Sequence, residues 1–501
     1  MGLRDRIRQL TSVVIPRGSL TSQSIWSGVW VAMLNVGDRL LQLGMVVILA
    51  RLLAPADFGL MGIALLMLSG LTRFSQLGLN QALVYNREAD IDGYLNTTWS
   101  LNIGRGLGIA AVLVVGAPLA ASVFGEPRAE PVIQVLAVSP LLFGLRNPGV
   151  VYFQKDLEFQ KEFVYELSGA IVQFVVAVAY ALAFANVWAL VFGNIAKNAT
   201  RFLVSYVVHS YRPRPGFDRA IAAELVNYGK WITGSSITNY LKSEGDDAVV
   251  GWLLGAASLG FYQMAYRLSN APATEITHTI SRVAFPAYSK LQDDLDALRT
   301  GYFRVLKLTL LLALPAGIGL AAVAPLFVEA VLGPNWLPIV LTLQVLTVYG
   351  MQRAFGATFG PVWRAIGRPD YQTKLSLVSV VLMAIAIIPL SVSYGFLGTA
   401  LVIVGVELVV VRPISAVITM REIDASIGRL LKEVAYPLTA SLGMGATVVV
   451  ARRQVAVLSP MVELGLLIVL GIVVYGLLVA LLEVRFGWGL RREFRRVRQA
   501  M

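Results

Sequence analysis

The chain contains a long series of apolar segments of about 20 residues each, and this series restricts the fold more than any other feature of the sequence. A helix of that length crosses roughly 30 Å of hydrocarbon. Inside a bilayer only helices and closed barrels satisfy every backbone hydrogen bond. Only 14% of the residues are charged, against roughly 25% in a soluble domain. The sequence therefore predicts an all-α integral membrane protein with about fourteen transmembrane helices, at residues 25–50, 58–82, 98–123, 131–151, 163–185, 187–208, 229–253, 258–284, 304–331, 337–362, 375–395, 397–420, 433–451 and 461–482.

The rare residue types and the missing motifs exclude several classes of protein. The chain has no cysteine and two histidines, which excludes disulfides and argues against a metal site built on thiolates or imidazoles. There is no Walker loop, nucleophile elbow or zinc spacing, so we expect no enzyme activity, no metal and no cofactor. The first apolar run is too long for a signal-peptide core and is expected to remain as a span.

The basic residues are distributed unevenly between alternate loops. With an even number of spans, both termini lie on one side of the membrane. The loops and termini on that side carry twenty-four Lys and Arg residues, against four on the other side. Basic residues favour the cytoplasmic side, so both termini are expected to be cytoplasmic in a cell-membrane protein. The net charge of +12 then reflects topology and not nucleic-acid binding, and the basic tail at 485–501 anchors the chain at the anionic leaflet.

The sequence also repeats itself at an offset of 201 residues. Gly28, Trp30 and Gly59 align with Gly229, Trp231 and Gly260. The offset covers six spans, so the two copies have the same orientation, as in transporters built from parallel repeats. We expect a cytoplasmic segment at 1–22, an N-terminal lobe of helices 1–6 at 23–222, a C-terminal lobe of helices 7–12 at 223–422, two additional helices at 423–484 and the tail.

Four spans matched by the repeat carry polar residues at helical spacing. In chain order these stripes are Asn35, Asp38, Arg39 and Gln42; Arg73, Gln76 and Asn80; Asn239, Lys242, Ser243 and Asp246; and Gln263, Arg267, Asn270, Thr274, Thr277, His278 and Ser281. Ionisable groups are costly in lipid and face partners or water-filled cavities. The stripes therefore predict a polar cavity, into which the segment "LKSEGDD" at 241–247 would project.

The candidate site residues fall into two groups by charge. The candidates for binding an anionic substrate are Arg39, Arg73, Lys242, Arg267 and Asn270, since guanidinium groups bind phosphate in bidentate fashion. The candidates for a coupling cation are Asp38, Glu244, Asp246 and Asp247, since carboxylates bind protons and hard cations. An alternative stays open, in which Asp38 with Arg39, or Lys242 with Asp246, only forms an internal ion pair.

Six further basic residues fall inside predicted spans: Arg105, Arg146, Lys197, Arg201, Arg353 and Arg412. Several of them are near the end of a span, where a long basic side chain can extend to the membrane surface. We expect that behaviour for those near the end of a span.

An ordered set of motifs resembles the polysaccharide-export flippases of the multidrug/oligosaccharidyl-lipid/polysaccharide superfamily. The motifs are "ARLLAPADFGLMGIA", "YRPRPGFD" with "NYGKWITGS", "DDAVVGWLLGAASLGFYQMAYRLSNAP", "SRVAFPAYSKLQDD", "VLGPNWLP" and "AIGRPD", and the resemblance extends over about residues 20 to 420. It implies two pseudo-symmetric six-helix lobes forming a V, with helices 1, 2, 7 and 8 around a central cavity. Arg39, Arg73 and Arg267 occupy places comparable to cavity arginines of related flippases, whereas Lys242 matches no such pattern.

The resemblance implies a substrate made of an oligosaccharide on a polyprenyl phosphate or diphosphate. The function expected is flipping of this lipid from the cytoplasmic to the outer leaflet by alternating access, driven by a cation gradient. Expected partners are membrane lipid and the polysaccharide polymerase and glycosyltransferases of the same pathway. Three alternative functions are those of a drug/cation antiporter, a membrane glycosyltransferase or polymerase, and a non-transporting scaffold. The arginines argue against the first, the short loops against the second, and the charges within the spans against the third.

Overall fold

The computed structural model describes residues 20–76, 92–156, 158–455 and 459–488, and none of these residues lies in a β-strand. Its helices are α1 Leu20–Leu52, α2 Pro55–Phe74, α3 Asp92–Val123, α4 Ala129–Leu136, α5 Val138–Gly144, α6 Tyr152–Lys155, α7 Phe159–Phe184, α8 Trp188–Val208, α9 Arg219–Ser289, α10 Leu295–Phe327, α11 Val340–Gly356, α12 Phe359–Ala365, α13 Asp370–Tyr394, α14 Phe396–Gly405, α15 Arg412–Glu422, α16 Ile427–Val455 and α17 Pro460–Phe486. Short 3₁₀ turns lie at Pro148–Val151 and Pro334–Ile339, and π-helical turns at Val328–Leu332 and Val406–Val411.

The chain is a multi-pass membrane protein. Within the described residues, 10 helices are long and apolar enough to cross a membrane, and the number is up to 11 if the segments Ala129–Gly144 and Pro148–Lys155, bent by 72°, form one span. The all-α prediction is thus confirmed. The stretch Asn239–Thr274 of 36 residues contains parts of two predicted spans and is interrupted at Gly255, so the total of fourteen spans stays a prediction.

Local chemistry explains where several helices begin. Pro55 occupies the first turn of α2, where its missing N–H costs nothing. The Asp57 carboxylate accepts a hydrogen bond of 3.1 Å from the Ala54 backbone N–H. Asp294 caps α10 by accepting a hydrogen bond of 2.9 Å from the backbone N–H of Ala297. Side chains thus satisfy backbone donors that a helix leaves open at its first turn.

Two compact units divide the chain, residues 1–260 and residues 261–501. In the first, α7 packs along α8 and α1, and α3 packs against α4 and α5. In the second, α10 packs against α11 and α16, and α16 packs against α17. The predicted lobe boundary at 222/223 does not follow from this division, and the predicted domain bounds stay predictions.

The long helix α9 is broken at Gly255, whose φ of 80° and ψ of 176° favour glycine. The break brings the residues that follow it onto the beginning of α2. A Cβ atom on Gly59 would overlap the carbonyl oxygen of Ala256, and a Cβ atom on Gly260 would overlap that of Pro55. Only glycine permits these two approaches.

These two contacts are related by the sequence repeat. Gly59 and Gly260 are 201 residues apart, and so are Pro55 and Ala256. Gly59 packs against Ala256, and Gly260 packs against Pro55. Each of these two contacts is therefore the repeat counterpart of the other. The V-shaped arrangement of two lobes stays a prediction.

The segment after α17 is fixed to α10 and α16 in the second unit. Lys307 Nζ donates a hydrogen bond of 2.7 Å to the backbone oxygen of Trp488 and lies 3.4 Å from Glu433 Oε2. The Trp488 indole N–H donates to Glu433, and its ring stacks on Tyr436 with a centroid distance of 5.6 Å. The tail at 489–501 lies outside the described residues.

Candidate functional site

Polar residues of α2 and of the first half of α9 meet in the N-terminal unit. Tyr240 Oη donates a hydrogen bond of 2.8 Å to the backbone oxygen of Leu66, and Ser236 Oγ donates one of 3.0 Å to Gln76 Oε1. Thr233 Oγ1 donates to the backbone oxygen of Gln76. Gln76 belongs to a predicted polar stripe, whereas the α9 residues in these contacts lie beside the stripe predicted for that helix.

The acidic residues of 241–247 lie beside this contact. Glu244, Asp246 and Asp247 are half-buried, whereas Lys242 is exposed. Glu244 lies within electrostatic range of both Asp246 and Arg73. The structure thus brings together one basic candidate from α2 and two acidic candidates from α9.

The two adjacent charged residues on α1, Asp38 and Arg39, differ in their exposure to solvent. Asp38 is half-buried and Arg39 is exposed. Asp38 Oδ2 accepts a hydrogen bond of 2.6 Å from Gln42 Nε2, one turn further along the helix. Asp38 also lies within electrostatic range of Lys197 on α8. Adjacent residues on a helix are separated by ~100°, which explains why the two side chains differ.

Two predicted substrate residues lie in the C-terminal unit, on α9 after its break. Arg267 is exposed. Asn270 is only 4% exposed, and its Nδ2 donates a hydrogen bond of 3.0 Å to the Tyr266 backbone oxygen. Arg353 Nη1 on α11 donates to Asn270 Oδ1 over 3.4 Å. Both ends of the Asn270 amide thus have internal partners, and its role in substrate binding stays a prediction.

Five of the six further basic residues inside predicted spans have partners inside the protein. Arg105 Nη2 donates to Thr72 O over 2.7 Å, Arg146 Nη2 donates to Asn198 Oδ1 over 2.6 Å, Arg201 pairs with Glu166, Arg353 donates to Asn270 as above, and Arg412 Nη2 lies 2.5 Å from Glu407 Oε2. These contacts leave the expectation for residues near the span ends as a prediction. Most of the partners lie on other helices, so spacing along one helix did not indicate them.

Some predicted polar positions lie outside the described residues. These are Asn80 and the side chains of His278 and Ser281. In the part of the chain that the structure describes, no three or more His, Cys, Asp or Glu side chains form a group that would hold a metal ion.

The exposed basic candidates share one property. Arg39, Arg73, Lys242 and Arg267 are all exposed, although each lies on a helix that is apolar enough to span a membrane. A charge in such a helix is retained where it contacts a polar partner or water. This arrangement suits the recognition of an anionic group that enters from outside.

Comparison with known proteins agrees with this geometry. The chain is similar to the lipopolysaccharide biosynthesis protein WzxC of Escherichia coli (strain K12), with 28% identity over 393 residues, 78% of this chain and 80% of the relative. It is similar to the succinoglycan biosynthesis transport protein ExoT of Rhizobium meliloti (strain 1021), with 25% identity over 391 residues, 77% of each chain.

A solved structure shows the same fold. The lipid II flippase MurJ, in an inward closed conformation, superposes with a TM-score of 0.72 and 14% identity over 90% of this chain and 98% of that one. The model of the polysaccharide biosynthesis protein family matches residues 48–341. Since that match spans more than half of the sequence, the chain belongs to the polysaccharide biosynthesis protein family.

Proposed function

We propose that this protein is a flippase that moves an oligosaccharide linked to a polyprenyl phosphate or diphosphate from the cytoplasmic to the outer leaflet, and that it is not an enzyme. The family and the named transport function of one relative support a role in exporting polysaccharide precursors. The observation that carries the proposal is the exposure of Arg39, Arg73, Lys242 and Arg267 on membrane-spanning helices. The substrate's anionic headgroup is what such cations would bind.

The apolar and polar parts of the substrate make different demands on the protein. The prenyl chain is soluble in the bilayer, so the protein has to accommodate only the phosphate and the sugars. Arginine supplies planar, bidentate donors for phosphate oxygens. Polar side chains on the same helices, such as the half-buried Gln263 on α9, suit sugar hydroxyls. The transport cycle proposed is alternating access by a protein of fourteen spans in two lobes, with both termini cytoplasmic.

Coupling to a cation gradient is part of this proposal. Asp38, Glu244, Asp246 and Asp247 are its candidate residues, since all four are half-buried carboxylates. The cluster of Glu244 and Asp246 near Arg73 would change its charge balance when a proton or cation binds. Such a change would alter how strongly Arg73 attracts a phosphate.

Reconstituted vesicles test the flippase function directly. Purified protein is placed in vesicles with a fluorescent lipid-linked oligosaccharide, and transfer between leaflets is followed by quenching from outside. Arg267→Ala is expected to reduce the rate at least about tenfold, because one charge-assisted contact is lost. Arg128→Ala is the matched control, since Arg128 is 64% exposed and lies 3.6 Å from Glu126.

Two outcomes would contradict the proposal. One is the absence of flipping by folded wild-type protein in vesicles with or without an imposed gradient. The other is equal rates for the two arginine variants. Efflux of cationic drugs by a protein that does not flip the lipid would favour a drug antiporter instead.

A further inference from the structure

A further polar stripe lies on α8, away from the four predicted spans that carry the stripes found by the sequence repeat. Its members are Asn194, Lys197, Asn198, Arg201 and Ser205. Their spacing places them on one face of the helix. Helix α8 packs extensively along α7 and also contacts α5, so this face meets other helices of the N-terminal unit.

Amides organise one end of the stripe. Ser139 Oγ donates a hydrogen bond of 3.1 Å to Asn194 Oδ1, and Asn198 Nδ2 donates one of 3.1 Å to the same oxygen. Arg146 Nη2 donates to Asn198 Oδ1 over 2.6 Å, and Tyr165 lies within electrostatic range of Arg146. The Arg146 guanidinium is therefore held in a fixed position before any ligand arrives.

Carboxylates organise the other end. Arg201 forms an ion pair with Glu166 on α7, and their side chains are 18% and 30% exposed. The stem of Arg201 packs on Gly169, where a Cβ atom would lie 2.9 Å from Arg201 Cγ. Asp38 and Glu166 both lie within electrostatic range of Lys197.

The charges of this network do not balance. Arg146, Lys197 and Arg201 are basic, whereas Asp38 and Glu166 are acidic, which leaves one positive charge in excess. A buried charge without compensation is strongly unfavourable in a low-dielectric interior. One bound monovalent anion would make the network neutral.

The three basic groups also retain unused donors. The Nε atoms of Arg146 and Arg201 are buried and have no hydrogen-bond partner among the described residues. Within the same part of the chain, the half-buried Lys197 ammonium forms no hydrogen bond or ion pair with a side chain or backbone group. Buried polar groups normally have partners, so this network contains donors that its own residues leave unsatisfied.

We propose that Arg146, Lys197 and Arg201 form an oxyanion subsite in the N-terminal unit, distinct from the four exposed basic residues described above. Its ligand is a phosphate or carboxylate group of the transported molecule, and in this respect the inference rests on the proposed function. An ammonium group and two guanidinium groups match the acceptors of such a group. The amides and carboxylates around these three basic side chains hold them in position.

Anion binding to the purified full chain tests the subsite. Inorganic pyrophosphate and glucuronate serve as probes of the two oxyanion types, and binding is measured by calorimetry in one detergent. Lys197→Gln is expected to weaken binding of at least one probe at least about tenfold, because a charge-assisted contact is lost. Lys197→Arg should retain most of the affinity. Lys374→Gln is the control, since Lys374 is 70% exposed and pairs with Asp370.

The probe whose binding is weakened shows whether the subsite binds the lipid carrier's phosphates or an acidic sugar. Weakened pyrophosphate binding assigns the subsite to the phosphates of the lipid carrier, and weakened glucuronate binding assigns it to an acidic sugar. Unchanged affinity for both probes in Lys197→Gln would overturn the subsite, and so would the absence of binding to the wild type.

A double variant separates ligand binding from a purely structural role of Lys197. Asp38→Asn together with Lys197→Gln restores the original net charge of the network. If Lys197 only balances charge, this double variant regains wild-type anion affinity, and the subsite is refuted. If Lys197 is a ligand, affinity stays low. Flipping by the wild type is measured separately, so failure of the proposed function is distinguished from failure of the subsite.

Discussion

Replacing Gly59 by alanine tests the reciprocal glycine contact between α2 and the residues after the break in α9. A Cβ atom at Gly59 would lie 2.9 Å from Ala256 Cα and would overlap the Ala256 carbonyl oxygen. Carbon atoms pack best at roughly 3.5–4.0 Å, and the carbonyl oxygen is closer still, so the two segments would have to separate by more than about 1 Å. Overpacking of this kind costs about 1–3 kcal/mol. We expect the upper end, about 3 kcal/mol, because backbone cannot rotate away as a side chain can.

The matched control is Gly104→Ala on α3, where a Cβ atom would have no other atom within 4 Å. Alanine in an open helical position stabilises by about 0.5–1 kcal/mol relative to glycine. The two variants make the same chemical change and should shift stability in opposite directions. The free energy of unfolding is measured by denaturant titration of the purified full chain in a single detergent.

Gly260→Ala is expected to behave like Gly59→Ala, since the two contacts are equivalent under the repeat. In the double variant Gly59→Ala/Gly260→Ala, one separation of the helices relieves both overlaps, so the cost should fall short of the sum by at least about 0.5 kcal/mol. The reasoning would be refuted if Gly59→Ala and Gly104→Ala changed the free energy of unfolding by the same amount and in the same direction.

Three further predictions concern an ion pair, a hydrogen bond and the topology. Glu407 is 2% exposed and pairs with Arg412, so Glu407→Gln should cost about 3 kcal/mol, and Arg412→Met added to it should recover part of that loss in the same unfolding assay. Tyr240→Phe removes the hydrogen bond to a backbone oxygen of α2 and should cost about 1 kcal/mol; an unchanged free energy of unfolding would contradict that bond. Because the chain contains no cysteine, cysteines introduced at Arg212 and Arg452 report the topology. An impermeant reagent applied to intact cells should label the second and not the first, and the reverse pattern would overturn the proposed orientation.

The helical architecture could be predicted from the sequence, because the bilayer leaves few alternatives. Backbone groups in hydrocarbon must bond within their own segment, so apolar runs of sufficient length become helices. The repeat carried further information, since its alignment of Gly59 with Gly260 predicted that these positions are equivalent. The structure gives both the same kind of close backbone contact. The total number of spans and the arrangement of two lobes stay predictions.

The partners of the basic residues inside the spans were decided by tertiary structure. Arg201 pairs with Glu166, 35 residues earlier, and Arg146 bonds Asn198, 52 residues later. Sequence spacing shows which residues share a face of one helix, but it does not show which faces of two helices pack together. The sequence indicated Lys197 and Arg201 only as basic residues inside a predicted span; the donors that they leave open became apparent only from their contacts with neighbouring helices.

The ion pair of Glu407 and Arg412 could not be predicted from sequence spacing either, although both residues lie in one stretch of chain. Residues five apart on a regular α-helix differ by about 140° at ~100° per residue, so their spacing predicts no contact. The chain between them forms a π-helical turn, which widens the helix by one residue per turn and brings the carboxylate and guanidinium to 2.5 Å. The sequence therefore determined that the chain is an all-α membrane protein and which residues the repeat makes equivalent. Packing of each helix against its neighbours, and local departures from α-helical geometry, decided which charges neutralise each other and which remain available to a ligand.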